Sequence, residues 1–332
     1  MVTRKEVAER AGVSVATVSN VFNKKVYVRP ETVRKVERAA AELKYVPNFT
    51  ARTLSLGHSY QIAIAVSECT NPYHMEIFEA VSDYAADRGF MVTLFSVNER
   101  MRSSMNFLRE RQFDAFINFS NQVYPEELID LLKSKKTLLV NFGDMGLNFS
   151  VDVYKPTVAA LEHLQALGHT RVGYVSTMDS LRWKADMRGR AFTEHLARLG
   201  LCEDENLIVY NSDYSALSEE VGYRNTVELL RRRRDFTALL TTNDLAALGA
   251  MRALREAGLA VPDDVSVIGC DGIESSRYAV PALSTIWYDK RAYGECIAEK
   301  IISCVRENRT PQGEIYRFES EYMPRESVAK VR

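Results

Sequence analysis

From residue 61 onward, short apolar segments alternate with amphipathic helical patterns, and no other feature constrains the fold as much. The apolar segments form two series, at residues 62–66, 91–95, 115–119 and 137–142, and then at residues 172–175, 207–210, 238–241 and 265–268. Helical patterns lie between them, at residues 76–87, 126–133, 158–167, 191–199, 219–231 and 245–257. Short, continuous apolar runs are typical of strands that are buried on both faces. Repeated strand–helix units predict doubly wound parallel sheets, so the two series predict an α/β core with two lobes.

Polar and aromatic residues follow these segments where the predicted strands end. They are Asn71, Tyr73, Asn98, Ser120, Asp213, Tyr214, Asn243 and Asp271. Because ligands of doubly wound sheets bind beyond the carboxyl ends of the strands, the set predicts a site for a polar ligand. Polar residues also occupy ordinary loops, and that interpretation stays open for each residue taken singly.

The N-terminal 58 residues have a different pattern, which is entirely helical. Thr3 and Glu6 have the spacing of a capping box, which opens a helix that Gly12 ends. Ser14 is placed to cap a second helix, and Pro30 begins a third. Two short helices joined by a glycine-containing turn predict a helix-turn-helix module.

This head is basic, whereas the rest of the chain is acidic. Residues 1–58 contain eleven Lys/Arg and five Asp/Glu, a balance of +6, although the whole chain has a net charge of −1. A basic head on an acidic body indicates that only the head meets a polyanion. The alternative is that its basic helices are simply solvated.

Several classes of protein are excluded by what the sequence lacks. No apolar stretch follows the early charges, and no run of about 18 apolar residues occurs, so we expect neither a signal peptide nor a membrane span. The five cysteines form no CxxC pair, which favours free thiols in a cytoplasmic protein. The motifs of serine hydrolases, P-loop proteins and zinc proteases are missing, so we expect no enzyme, no cofactor and no metal ion.

One dense set of motifs covers nearly the whole chain. In the head these motifs are residues 7–8, 11–14 (AGVS), 16–23 (ATVSNVFN), 33–36 (VRKV), 41–45 (AELKY), 47–48 and 51–54 (ARTL). In the core they are residues 71–73 (NPY), 167–172 (LGHTRV), 243–250 (NDLAALGA), 258–269 and Asp271. In density and order they resemble the LacI/GalR (lac repressor) family of bacterial transcriptional regulators.

This resemblance implies a periplasmic-binding-protein-like core that dimerises and binds a small effector. It divides the chain into a helix-turn-helix head (residues 1–46), a hinge helix with a linker (residues 47–60) and a core (residues 61–332). Within the core, the N-lobe is expected at about residues 61–156 and 289–317, and the C-lobe at about residues 157–288 and 318–332.

The chain departs from the family near the expected ligand site. Residues 152–156 (DVYKP) stand where the family often has Asp-Asn and a downstream Gly. Ala191 and Gly272 replace a frequent Gly and a frequent Asp, but Arg188, three residues before Ala191, is retained. We therefore expect the family's framework with unusual chemistry in detail.

The second head helix is expected to enter the major groove of double-stranded operator DNA. Val15 and Ala16 are candidates for contact with thymine methyl groups, and Asn20 for a bidentate pair with adenine. Phosphate contacts are expected from four further residues, Thr17, Ser19, Asn23 and Tyr45. For Val15, a place in the core of the head is the alternative.

The segment at residues 47–55 has helical spacing, but a helix this short is marginal in water without a partner. The resemblance implies that two such hinge helices, one from each subunit, pair in the minor groove, where Leu54 would part a base step. Ala51 lies on the same segment and is a further candidate for DNA contact. The alternative is that Leu54 packs on the core.

For the effector, Arg188, Asn243 and Asp271 offer donors and acceptors that match hydroxyl groups. Aromatic candidates for the face of the ligand are Tyr73, Tyr214 and either Tyr288 or Trp287. Arg182 and Lys184, near Arg188 in the sequence, would favour an anionic ligand unless they are simply solvated. The arginine run at residues 231–234 is either a second nucleic-acid patch or a solvated helix end.

Together these features predict a homodimeric repressor that binds a pseudo-palindromic operator and responds to a sugar or sugar derivative. A nucleobase or nucleoside effector and a regulator without an effector are the alternatives. A sugar-binding protein without a regulatory role would share the core, but it would lack the head and would need a signal peptide.

Overall fold

The computed structural model describes residues 2–23, 27–45, 58–97, 106, 108–120, 124–212 and 216–331. The chain forms two compact units, residues 1–60 and 61–332. The predicted hinge helix, with Ala51 and Leu54, lies outside the described residues, as do Asn98, Asp213 and Tyr214.

The first unit contains three helices, α1 (Arg4–Ala11), α2 (Val15–Asn23) and α3 (Pro30–Glu42). The predicted capping box is confirmed, because the Glu6 amide donates to Thr3 and the Thr3 amide donates to the Glu6 carboxylate. Gly12 ends α1 at a φ of 67°, where a glycine avoids strain. The Thr17 amide donates to the Ser14 hydroxyl, which caps α2.

The apolar faces of the three helices meet in one small core. Val7, Val18 and Val36, one from each helix, are fully buried there, together with Val21 and Ala40. The helix-turn-helix architecture follows from this spacing of apolar residues along each helix.

The second unit contains two sheets. The strands of the first sheet are β1 (Gln61–Val66), β2 (Met91–Ser96), β3 (Ala115–Phe119), β4 (Leu138–Val140), β5 (Leu147–Asp152) and β11 (Glu314–Glu319). They are all parallel, in the order β11-β5-β4-β3-β1-β2. The helices of this lobe are α4 (Pro72–Ala86), α5 (Glu126–Ser134) and α11 (Lys290–Glu307). Gly294 of α11 lies against Ala80 of α4 and lets these two helices approach closely.

The second sheet repeats this design with one antiparallel edge. Its strands are β6 (Val172–Val175), β7 (Ile208–Val209), β8 (Ala238–Thr241), β9 (Ser266–Cys270), β10 (Ser284–Trp287) and β12 (Glu321–Met323). They follow the order β12-β10-β9-β8-β6-β7, and β12 is antiparallel to β10. The helices are α6 (Tyr154–Ala166), α7 (Ser180–Ala185), α8 (Met187–His195), α9 (Ser218–Arg232) and α10 (Asp244–Glu256). The predicted fold class is therefore confirmed.

The prediction from apolar runs missed the strands β5, β10, β11 and β12 and the long helix α11. β5 alternates apolar and polar residues, and β11 is an edge strand in which exposed residues, Ile315 among them, alternate with partly buried ones. β10 begins with Ser284 and Thr285, which are buried because their polar groups are hydrogen-bonded inside the lobe. The strand predicted at residues 207–210 is shorter in the structure and comprises only Ile208–Val209, because Leu207 is the last residue of a 3₁₀ turn.

Within the described residues, no helix is long and apolar enough to cross a membrane. The same residues contain no cluster of three or more His, Cys, Asp or Glu side chains that could hold a metal ion.

Candidate functional sites

The N-terminal turn of α2 presents apolar side chains to solvent in the head. Val15 is 46% exposed and Ala16 is exposed, whereas Val18 and Val21 of the same helix are buried. Val15 therefore lies outside the core of the head, contrary to the alternative considered above. An exposed helix start of this kind is the part of a helix-turn-helix that reaches base edges.

The polar candidates of the head lie on or beside the same helix. Thr17 and Ser19 are half-buried, and the Ser19 hydroxyl accepts a hydrogen bond from Arg4. Asn20 is partly exposed one turn beyond Ala16, and Asn23 is the last residue of α2. The Tyr45 ring packs against Phe22 at 5.7 Å within the core of the head, so only its hydroxyl remains for a phosphate.

In the second unit, side chains from the two lobes meet beyond the carboxyl ends of the strands. The Tyr288 hydroxyl, after β10, donates to the Tyr73 hydroxyl at the start of α4, with 2.9 Å between the oxygens. Tyr288 is buried, and its ring lies edge-on to Tyr73. The structure thus pairs two aromatic candidates with each other across the lobes. Trp287 is 36% exposed beside them.

Arg188, at the start of α8, is held on two sides. Its Nε and Nη2 donate to the Asp186 carboxylate at 2.8 and 2.9 Å, and its Nη1 donates to the Thr242 carbonyl at 2.6 Å. Burial raises the pKa of Asp186, but the charge and hydrogen bonds of Arg188 outweigh it and lower the pKa below its usual value. Since the arginine side chain is only 15% exposed, the guanidinium is a fixed part of the site.

Asp271 follows β9 in a strained conformation. Its φ is 110°, a value that residues other than glycine rarely adopt. Burial raises the pKa of its carboxyl group to about 7, although the positive charges of Arg188 and Lys290 oppose this shift. Near neutral pH the group therefore exists both as a donor and as an acceptor.

Lys290 was not among the predicted site residues, but it supports this strand end. It is almost fully buried, and its ammonium group donates to the carbonyls of Asp271 and Gly272 at 2.8 and 2.9 Å. The same nitrogen lies 3.3 Å from the carboxylate of Glu76 on α4. Lys290 thus links the second sheet to a helix of the first lobe.

Asn243 acts first as a helix cap. Its side-chain oxygen accepts from the Ala246 amide at 2.8 Å, and its side-chain nitrogen is 3.4 Å from the Ser218 hydroxyl. Ser218 in turn donates to Glu68, after β1, at 3.1 Å. Burial raises the pKa of Glu68, against the hydrogen bond from Ser218. This chain is a second polar connection between the lobes.

The remaining basic candidates are explained by local structure. Arg182 lies 3.5 Å from Asp179, and Lys184 is exposed on the six-residue helix α7. Within the arginine run, Arg233 forms ion pairs with Asp204 and Asp235, and Arg232 pairs with Glu228. These contacts favour the structural interpretation of the run over a second nucleic-acid patch.

Three of the missed residues lie in helical segments, where polar residues are common, namely Glu76, Lys290 and Ser218. Glu68 follows β1 and Asp186 stands at a helix start two residues before Arg188, so both had a local signal that the prediction did not use.

Comparisons with known proteins agree with this architecture. Residues 3–48 match the family described as bacterial regulatory proteins, lacI family, and residues 161–328 match the periplasmic binding protein-like domain. The HTH-type transcriptional repressor PurR of Haemophilus influenzae is 32% identical over 304 residues, which cover 89% of this chain and 88% of that protein. PurR of Mannheimia succiniciproducens is 30% identical over 340 residues and covers both chains fully.

Among solved structures, the lac repressor dimer bound to operator and the anti-inducer ONPF has a TM-score of 0.79 and 27% identity, and it covers 99% of each chain. The relatives named PurR are repressors and not enzymes, as predicted for this chain. The helix-turn-helix head, the two-sheet core and these matches together establish that the chain belongs to the lacI family of bacterial regulatory proteins, as a DNA-binding transcriptional repressor with an effector-binding domain.

Proposed function

We propose that this protein is a homodimeric repressor that binds a pseudo-palindromic operator and is controlled by a small polar effector held between the lobes. The observation that carries the DNA-binding part is the exposed start of α2, with Val15 and Ala16 facing solvent on a basic head. A structural relative at 27% identity is a lac repressor dimer bound to operator. Two heads related by two-fold symmetry would read two half-sites.

Support for a homodimer comes from one rigid apolar loop in the second unit. Tyr278 is 76% exposed and Val280 is 95% exposed. The loop is held in place because Arg325 donates to the Ser276 hydroxyl at 2.8 Å and to the Leu283 carbonyl at 2.9 Å. A fixed, exposed apolar loop favours contact with a partner, and a second copy of the chain supplies a matching surface by symmetry.

For the effector, the proposal is a polyhydroxylated molecule, a sugar or a sugar derivative. Arg188 supplies hydrogen-bond donors, and Asp271 is both a donor and an acceptor near neutral pH. Ligand hydroxyl groups both donate and accept, so they can bond to either residue. Asn243 is a weaker candidate, since its amide already caps α10. A nucleobase is the second candidate, because the aromatic rings of Tyr73 and Tyr288 lie beside Asp271 and could cover a planar ligand.

The proposed mechanism is a two-state change in how the lobes meet. The effector would compete with or reinforce contacts that join them, such as Tyr288–Tyr73, Ser218–Glu68 and the bonds from Lys290 to the carbonyls of Asp271 and Gly272. Preference for one lobe arrangement shifts the population of dimers whose hinge segments, with Ala51 and Leu54, can pair on DNA.

The test has two steps. A thermal-shift screen of sugars, sugar phosphates, uronates and nucleobases identifies compounds that raise the melting temperature of the full chain. Operator DNA is then selected from a random library, and its affinity is measured by fluorescence anisotropy with and without each compound. The expected result is a polyhydroxylated compound that changes operator affinity. A change caused only by nucleobases would replace the sugar assignment, and no operator in any selection would overturn the proposal as a whole.

A further inference from the structure

Arg188, at the strand ends of the second sheet, forms an ion pair with Asp186. The Nε and Nη2 atoms of Arg188, on one edge of the guanidinium, donate to the two carboxylate oxygens of Asp186. Together with the bond to the Thr242 carbonyl, three of the five N–H groups of Arg188 are occupied inside the protein. The edge that normally grips a carboxylate or phosphate in bidentate fashion is therefore already filled.

Asp186 also occupies the other feature that attracts anions. It is the residue that caps α8, and its carboxylate accepts from the Arg188 amide at 2.9 Å. A helix start offers unpaired amides and partial positive charge to an anion. At the start of α8 the Asp186 carboxylate already occupies the position that an anionic ligand would take.

The other buried or half-buried basic groups near Arg188 are also paired with carboxylates. Lys290 is paired with Glu76 and donates to two carbonyls, and Arg182 is paired with Asp179. Asp271 and Glu68 add acidic groups on the same side of the lobes, and both are partly buried. Lys184 is exposed on α7. The three ion pairs sum to zero, so the remaining charge is that of Lys184, which is positive and exposed, and of Asp271 and Glu68, which are negative when ionised.

We infer that Asp186 is a specificity-determining residue that restricts the effector to uncharged ligands and excludes phosphorylated or carboxylated ones. An anionic group would have to displace Asp186 from Arg188 or lie beside an acidic charge in a partly buried site, and both are unfavourable. A ligand hydroxyl or carbonyl needs only the remaining N–H groups of Arg188. This inference rests on the proposed effector site, and it narrows the class of ligand.

The experiment uses the full chain and pairs of ligands with one skeleton. Glucose is compared with glucuronate and glucose 6-phosphate, and ribose with ribose 5-phosphate, by thermal shift at constant ionic strength. In the wild type, every anionic member is expected to bind at least about tenfold more weakly than its neutral partner, or to give no shift. Equal or tighter binding of the anionic members would overturn the inference.

Asp186→Asn is the decisive variant, because asparagine keeps the helix cap but removes the charge. Inorganic phosphate is expected to raise the melting temperature of D186N in a saturable way and to leave the wild type unchanged. The double variant D186N/R188M is the matched control and should lose the phosphate response. If D186N gains no phosphate response, Asp186 does not set the ligand class.

A folding control and a second variant separate the loss of charge from the loss of structure. Circular dichroism checks that D186N is folded, and Asp186→Ser, which also caps a helix, replaces it if it is not. A protein that shows the phosphate effect but never changes its DNA affinity with any ligand would contradict the proposed regulation and leave the charge assignment standing.

Discussion

Most ionisable side chains at the strand ends are arranged in ion pairs. Asp186 with Arg188 and Glu76 with Lys290 are close ion pairs, whereas the Asp271 carboxylate forms no such pair within the described residues and is influenced by the charges of Arg188 and Lys290 from farther away. Burial then dominates at Asp271 and raises its pKa. The charge of Asp271 therefore changes near neutral pH.

Asp271→Asn tests this assignment through the pH dependence of stability. The folded-state pKa of about 7 lies above the unfolded value of about 4, so the native wild type binds more protons between these limits. Its free energy of unfolding should therefore lose a favourable contribution as pH rises from about 4 to about 7. Relative to the wild type, D271N should become more stable over this window, as measured by urea unfolding. A constant difference between the two proteins across the window would contradict the raised pKa.

Asn20→Ala tests base reading in the head. The loss of a bidentate pair with adenine should cost roughly 1–3 kcal/mol at one operator position and relax the preference there. Selection from random half-sites measures the preference, and Ser19→Ala is the control, which should weaken all sequences alike. An unchanged preference in N20A would assign Asn20 to a structural role.

Among the elements, helices α9 and α10 approach each other most closely through two glycines. A Cβ atom on Gly222 would lie 2.1 Å from the Ala246 carbonyl oxygen, and one on Gly249 would lie 2.0 Å from the Glu219 carbonyl oxygen. Such backbone contacts cannot yield by a change of rotamer. The pair therefore determines the spacing of the two helices that begin at Ser218 and Asp244, beside the site.

Gly249→Ala should push these helices apart and lower the free energy of unfolding by about 3 kcal/mol. Gly173→Ala is the control, because its added Cβ would meet the flexible side chains of Leu229 and Leu239 at 3.0 and 3.1 Å. We expect the control to lose clearly less stability in thermal or urea unfolding. Equal losses would show that the helix spacing is not rigid.

For the whole molecule, assembly and DNA binding should depend on one another. Each head presents only one short recognition helix, and the contacts of a single half-site give limited affinity. Two heads joined through their cores bind with the advantage of effective concentration.

Val280→Asp should therefore weaken self-association and operator affinity together, since it places a charge in the exposed apolar loop proposed as the dimer contact. Analytical ultracentrifugation measures the first effect and fluorescence anisotropy the second. Leu181→Asp is the matched control, because Leu181 is 80% exposed on α7, outside this loop. A V280D protein that remains dimeric would place the subunit contact elsewhere.

The local pattern of residues was sufficient for most of the elements and for the fold class. Strands such as β1 and β8 are continuous apolar runs because both of their faces are buried, and the cap residues Thr3 and Ser14 each accept from an amide three positions away. These are short-range properties, so they are visible in the order of residues. β5, β10 and β11 were missed because their polar residues are either exposed at an edge or hydrogen-bonded by distant parts of the chain.

The chemistry of the candidate site was decided by the tertiary structure. Arg188 was foreseen as a free clamp, but the fold places its Nη1 on the carbonyl of Thr242, 54 positions away, beside the local pair with Asp186. Ser218 and Glu68 are 150 positions apart and still share a hydrogen bond. Charge, pKa and free hydrogen-bonding capacity depend on which groups converge at the strand ends. That convergence arises from the topology of the two sheets, because long-range electrostatic and hydrogen-bond partners have no signature in local sequence.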